Sequence, residues 1–468
     1  MRLGFETLGN ATLVFYEDGH PVLATDPWLT GTCYYGSWGF DRPVTAAELA
    51  AVQNAPYVWI SHGHPDHLHL ESLALLSRQT KILLPDHYTA EIAEVVKQQG
   101  FEIEIMRYRQ WRQLSPRLRC LCIDNENQDG VLVVEADGRL VVDLNDSPLY
   151  GEERFLRDLT RRYDRRNTYL AALCAIDADM LNYIDDQGGR ITEPPDRYKR
   201  GAIWAVARTA DRLGVGNYAC SSSQHLYVRS DSVWANPYRI TWSDLSQHWT
   251  RPQIRLVEPY AVVDLESGAV ERKHPMQTSD LSQITDKTGD DDYSERLSEA
   301  EWSKLFSFFR KFETIRRYFD YLDFVVAGER RRIWLNPSST KKAERRLRGF
   351  AFHAPRRSLC SAVEFGYFDD LLIGNFMKTE LHNATLYPHF TPLVCKLGGN
   401  AKVFTDAEWR AFRWRYFRRN PFGYLELRLE RCRAGLIDIV RRLSSKFGVK
   451  GPLKWAYRKM LGDPVVWD

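Results

Sequence analysis

Seven consecutive residues, Ser61-His62-Gly63-His64-Pro65-Asp66-His67, place three imidazoles and a carboxylate side by side. The apolar run Tyr57-Val58-Trp59-Ile60 before them reads as a buried strand. Leu68, Leu70, Leu73 and Leu76 after them have the spacing of a helix. A strand end, a loop and a helix start bring all four polar side chains to one rim of a sheet. Neutral imidazoles and carboxylates are borderline-to-hard donors that suit zinc, iron or manganese. The bland alternative is an exposed polar loop rich in histidine. The strand–loop–helix context favours the metal.

A chain of 468 residues buries a full core and suits two domains or one elaborated domain. Its 64 basic and 61 acidic residues nearly cancel, so no overall field for nucleic acid or membrane is expected. No window of apolar residues is long enough to span a bilayer. The start, Met1-Arg2-Leu3-Gly4-Phe5-Glu6, has no apolar leader core, and the eight cysteines are scattered. A cytoplasmic protein with free thiols is therefore expected.

Thr12–Tyr16 and Val22–Thr25 flank a turn at Glu17-Asp18-Gly19-His20, a hairpin signal. A Gly/Tyr/Trp-rich loop from Thr30 to Phe40 is expected near the site. Lys81–Pro85 reads as a strand, Thr89–Gln99 as a helix, and Val131–Glu135 with Arg139–Leu144 as a hairpin around Asp137-Gly138. Gly201–Leu213 reads as a helix and Asn217–Cys220 as a strand. A polar hinge is expected at Thr288–Asp292. Ser298 with Glu301 forms a capping box for a helix expected to run to about Tyr321. A second box, Thr405 with Glu408, opens the aromatic and basic stretch 409–419. That stretch suits an amphipathic helix on a membrane surface, or a helix whose aromatics pack while its arginines stay wet. Arg330-Arg331-Arg332, Lys341-Lys342, Arg345-Arg346, Arg348 and Arg356-Arg357 read as solvated faces, or as a platform for an anionic substrate or an acidic donor protein.

The His62-x-His64-x-Asp66-His67 pattern resembles the signature of the metallo-β-lactamase superfamily. That resemblance implies an α/β fold, an αβ/βα sandwich, here with a C-terminal α+β extension. The expected division is 1–260 for the catalytic domain, 261–400 for an extension covering the site and 401–468 for a basic aromatic helical tail. It also implies two metal positions, bridged by an aspartate and completed by two further histidines. Asp146 is the bridging candidate, with Asp143 as its nearby rival, and His225 is the candidate for the last histidine. The other histidine is missing. Asn125 stands where it is expected, with Asp124 beside it, and either oxygen donor would suit iron or manganese better than zinc. Asp26 suits a partner that fixes the tautomer of a ligating imidazole; a turn cap is its bland reading. The metal set expected is thus His62, His64, Asp66, His67, Asn125, Asp146 and His225.

Asp26-Pro27-Trp28-Leu29-Thr30-Gly31 together with Ser61–Leu68 narrows the resemblance to the cytidine-monophosphate N-acetylneuraminate hydroxylases. Weaker echoes stand at 143–148, at Arg239-Ile240-Thr241-Trp242 and at Asp369–Phe376. The resemblance implies hydroxylation with iron, oxygen and electrons. Members of that family carry a Rieske domain, whose paired Cys/His ligands have no counterpart here. The expectation is a metal-dependent, di-iron oxygenase acting on a small anionic or amide-bearing metabolite, with a separate electron donor or the substrate itself as reductant. The alternative is a dinuclear hydrolase of a phosphoester, lactone or amide, in which Asp66 orients a hydroxide on zinc or manganese. A binding protein with a degenerate site is a third reading.

Overall fold

The computed structural model describes residues 2–185, 187–273 and 291–446, side chains excepted at 345 and 434–446. Two large β-sheets lie face to face. The first has eight strands in the order Val270–Arg272, Ala261–Asp264, Leu3–Gly9, Thr12–Glu17, His20–Thr25, Tyr57–Trp59, Lys81–Pro85 and Glu102–Met106. The second has seven: Arg255–Val257, Asn217–Ser221, Thr168–Leu173, Arg139–Asn145, Gly130–Ala136, Leu118–Asp124 and Arg112–Gln113.

Alternation of side chains along each strand builds the layers. Phe5, Phe15, Leu23, Trp59 and Leu83 of the first sheet meet Cys120, Cys122, Leu132, Val134 and Val141 of the second in a shared core. The intervening residues face outward. Val14, Ala24, Val58 and Ile82 pack under the helices Ala46–Gln53, Leu70–Ala74 and Glu91–Gln98, which contribute Val52, Leu73 and Val96. Leu121, Val133, Leu140 and Leu170 pack under Glu153–Thr160 and Pro195–Leu213, which contribute Leu156, Ile203 and Leu213. Each fully buried Val, Leu, Ile or Phe among these contributes roughly 1.5–3 kcal/mol. The result is the expected αβ/βα sandwich.

A third sheet, ordered Tyr183–Ile184, Lys378–His382, Gly349–His353, Tyr321–Val326 and Glu329–Trp334, makes the α+β extension. Its core is aromatic, with Phe309, Phe312, Phe324, Phe350, Phe352, Phe368 and Phe390 in mutual contact. Strand pairing crosses the division expected at 260. Ala261–Asp264 pairs with Leu3–Gly9, and Tyr183–Ile184 joins the third sheet through Thr379 and Glu380.

The helix from Ser298 has its capping box but ends at Arg310, well before Tyr321, which opens a strand. The Glu313 N–H bonds the Phe404 carbonyl at 2.9 Å, and Phe312 turns in to pack edge-on against the Phe404 ring. Tertiary contact thus overrides the helical pattern. The second capping box does open a helix, Asp406–Arg419, which leads into Pro421–Lys446. Phe412 and Tyr416 are buried, and two of its arginines point inward, to acids of the sandwich. The arginines of 330–332 and 356 pair with Glu380, Glu299, Asp323, Glu301 and other acids of the extension. Thr288–Asp290 and residues beyond Lys446 lie outside the described residues. Among those described, no helix is long and apolar enough to cross a membrane.

Candidate metal centre

The site sits where strands of both large sheets end on one rim. The strand Tyr57–Trp59 runs out into the His62–His67 loop, and His20–Thr25 beside it ends at Asp26. The Asp26 N–H bonds the Trp59 carbonyl, and the Asp26 carboxylate accepts from the Ser61 N–H and hydroxyl, both at 2.7 Å. Its Oδ2 also lies 3.0 Å from His67 Nδ1. An imidazole that donates from Nδ1 presents Nε2 as a lone pair. His67 Nε2 lies 3.4 Å from Asp66 Oδ2 and 3.3 Å from Asp146 Oδ2. Burial lowers the His67 pKa, but Asp66, Asp146 and Asp26 outweigh it and push it well up, so without an ion Nε2 holds a proton between the carboxylates, which a cation would displace.

His62 and His64 converge, with Nε2 of the first 2.7 Å from Nδ1 of the second. Burial and the neighbouring imidazoles push the His62 pKa well down, so it is held neutral. One donor atom each from His62, His64 and Asp146 lies within 4.8 Å of the others. Asp66 is anchored by the Asn10 amide at 2.8 Å and the Tyr34 hydroxyl at 2.6 Å. Tyr34 comes from the aromatic loop expected near the site. Asp146 follows Asn145, whose φ is +40°, and Asp26 itself has φ +38°. Asn and Asp tolerate this left-handed region.

The residues fit divalent ions. Among the described residues, His67 Nε2 and Asp146 Oδ1 are buried with no hydrogen-bond partner. Native proteins rarely leave such atoms unpaired, and converging orphaned donors are what a cation satisfies. Asp143, the rival for the bridge, accepts from the Asn145 N–H and is pushed well up in pKa by burial and by Asp26. It lies outside the group formed with His62 and His64.

Two expected ligands are placed differently. Asn125 donates to Ser147 Oγ and to the Pro148 carbonyl, and its Oδ1 accepts from the Asn127 N–H. These bonds tie it to the loop 125–129 and the neighbouring turn. Asp124 is held by Tyr416 and Arg419 of the helix Asp406–Arg419, with His87 at 3.3 Å. His225 lies outside the His62–His64–Asp146 group. It stacks flat on Trp38, with centroids 3.4 Å apart, and among the described residues both its nitrogens are buried without a partner. Trp38 in turn packs on Tyr34, so His225 belongs to the aromatic wall beside Asp66.

The extension adds residues that the motif does not announce. Asp369 Oδ2 lies 3.1 Å from His64 Nε2 and 3.2 Å from Lys396 Nζ. This carboxylate leaves His64 Nδ1 free to face His62. Asp370 beside it is half-buried, and loss of hydration pushes its pKa up to about 7. The signal for both was the Asp369–Phe376 stretch, which carries no pattern that assigns a role.

A four-layer sandwich with a His-x-His-x-Asp-His loop and a strand-end aspartate on one rim decides the architecture. The chain has a metallo-β-lactamase fold. No family model matches it. A stretch of 140 residues is 26% identical to the cytidine monophosphate-N-acetylneuraminic acid hydroxylase of Asterias rubens, covering 27% of this chain and 21% of that protein. The chain thus matches about a fifth of the length of that relative. Solved structures similar to it include the isothiocyanate hydrolase from Delia radicum gut bacteria, with 16% identity and TM-score 0.38 over 56% of this chain and 98% of that one. A variant of the CmlA β-hydroxylase has 14% identity and TM-score 0.33, covering 47% and 46%. The short form of human tRNase Z has 14% identity and TM-score 0.32, covering 57% and 99%.

Proposed function

We propose that this metallo-β-lactamase-fold chain is a metal-dependent oxygenase that hydroxylates a small anionic or amide-bearing metabolite. The observation that carries the reading is the buried donor set: His62, His64 and Asp146 at one position, with Asp66 and His67 around the other side of Asp146. Three imidazoles and two carboxylates with no thiolate suit iron, manganese or zinc, and the oxygenase reading takes iron. Two such ions, when bound, would supply activation of O2. The similarity to a named hydroxylase, short as it is, supports the same direction.

The chain's own groups do the rest. Asp26 and Asp369 fix the tautomers of His67 and His64. Asn10 and Tyr34 hold Asp66 in one rotamer. Trp38, Tyr34 and His225 make a dry aromatic wall that keeps water from the reacting region. An external reductant is required.

The test is aerobic purification with elemental analysis, followed by oxygen uptake on adding air to the reduced protein. Iron, with uptake coupled to product only when substrate is present, is expected. Full turnover of a phosphoester, lactone or amide with zinc under strict anaerobiosis would overturn the oxygenase and leave a hydrolase on the same ligands.

A further inference from the structure

We propose that the outer face of the helix pair Asp406–Arg419 and Pro421–Lys446 is a docking surface for an anionic lipid membrane. Such a surface fixes where the protein works, whichever ion the metal centre holds.

The second helix has two opposite faces. Its inner face is seated on the sandwich. Leu427 is buried, and a Cβ on Gly423 would meet the Gly151 carbonyl. On the same side Glu430 reaches Arg212 at 3.7 Å and Arg431 reaches Glu126 at 3.0 Å. About half a turn round, Phe422, Leu425 and Leu429 are 75%, 51% and 70% exposed. Steps of three and four residues set them in one stripe along the helix. The first helix repeats the arrangement. Phe412 and Tyr416 face in, while Trp414 stands 59% exposed between the exposed Arg410 and Arg418, one turn to either side. Trp414 stacks on Phe417, which packs edge-on against Tyr424 of the second helix. Among the described residues, eleven large apolar side chains are exposed, and four of them fall within 414–429. Such a cluster, rimmed by charge, marks a contact surface.

Charge selects the partner. Arg415, Arg419 and Arg431 are spent on seating the helices against Asp86, Asp124 and Glu126. Arg410, Arg418, Arg428 and Arg433 border the stripe and make no ion pair among the described residues. Glu426 is the acid at its edge. A second copy would bring the same arginines to meet one another. The chain's own residues 447–468 are basic as well, with Lys450, Lys454, Arg458 and Lys459. The partner is therefore anionic. Apolar side chains that stand out from a convex helix need a partner that deforms around them, whereas a folded acidic protein would need a matching groove. A lipid interface accepts them. Leu and Phe enter the acyl boundary, Trp sits at headgroup level and arginine meets anionic headgroups.

The experiment sediments the whole chain with vesicles of phosphatidylcholine alone, and of phosphatidylcholine with about 30% phosphatidylglycerol, at low and high salt. Wild type is expected to bind the anionic vesicles and to be released by salt. Arg418→Gln and Arg433→Gln are each expected to bind about fivefold more weakly. The double variant Phe422→Gln with Leu429→Gln is expected to bind about tenfold or more weakly, with unchanged circular dichroism because both side chains are exposed. Ile191→Gln, which removes an exposed apolar residue elsewhere, is expected to match wild type. Failure of wild type to bind the anionic vesicles overturns the proposal, as does full binding by the double variant. If the double variant misfolds, unchanged affinity in both arginine variants overturns it equally. A dimer that the double variant splits, with vesicles left unbound, overturns it in favour of a second copy. Capture by polyglutamate with vesicles left unbound overturns it in favour of an acidic protein.

Discussion

At the scale of single residues, the imidazole orientations depend on carboxylates that touch no substrate. Asp26 accepts from His67 and also ties the loop through Ser61. Replacing it with Ala should weaken metal at the Asp66–His67 position about 10–100-fold, as loss of such orienting partners generally does. Asp26→Asn, which keeps an acceptor, should recover part of that loss in a calorimetric titration. Asp179 gives a second, separate prediction. It is buried, its Oδ2 accepts from Thr391, and burial with Asp177 beside it pushes its pKa up to about 7. The unfolded chain releases this proton near the ordinary carboxylate value of about 4. Between about pH 4 and 7 the folded chain therefore holds the proton that the unfolded chain has lost. Its contribution is most favourable below that window and declines as the pH rises to 7. Asp179→Asn should flatten that part of the stability–pH curve, measured by denaturant titration of metal-free protein. These carboxylates show what sequence alone discloses. His62, His64, Asp66 and His67 are contiguous and plain to read. Asp369 reaches the site only because a distant helix folds over it, and nothing in its local spacing says so.

Elements were legible wherever pattern and tertiary environment agree. The hairpins at 12–25 and 130–145 came from turn residues with alternation on either side, and the structure keeps both. The helix expected from Ser298 to about Tyr321 is too long because buried Phe312, Ile315 and Phe319 continue an apolar pattern after the backbone has turned away. The helix Asp406–Arg419 was read as either membrane-facing or wet on its basic side. In the fold its Arg415 and Arg419 reach Asp86, and Arg419 also reaches the buried Asp124. This helix is a strut on the strand end that carries Asp124, next to the 125–129 loop. Arg419→Ala leaves a buried carboxylate short of its cation and should cost ~2–3 kcal/mol. A thermal melt should show a lower midpoint by several degrees.

For the whole molecule, the sandwich and the extension are joined through the site itself. Tyr183–Ile184 pairs with Lys378–His382, and Asp369 reaches His64. Residues 1–272 expressed alone should keep sandwich-like circular dichroism but bind metal more weakly than the full chain. Equal affinity in a calorimetric titration would show that the extension does not support the site. Asp369→Ala in the full chain should reproduce part of the loss without removing any element. The sequence showed the sandwich by its motif and alternation, whereas the join was invisible, since pairing between distant segments leaves no local mark. That join also orders events in time. His64 and Asp369 are 305 residues apart in sequence. During synthesis at about 5–20 residues per second, the histidine loop emerges on the order of 15–60 s before its carboxylate partner. An ion bound before that partner arrives is held without the carboxylate that orients His64, so full affinity is expected only once the extension has folded over the loop.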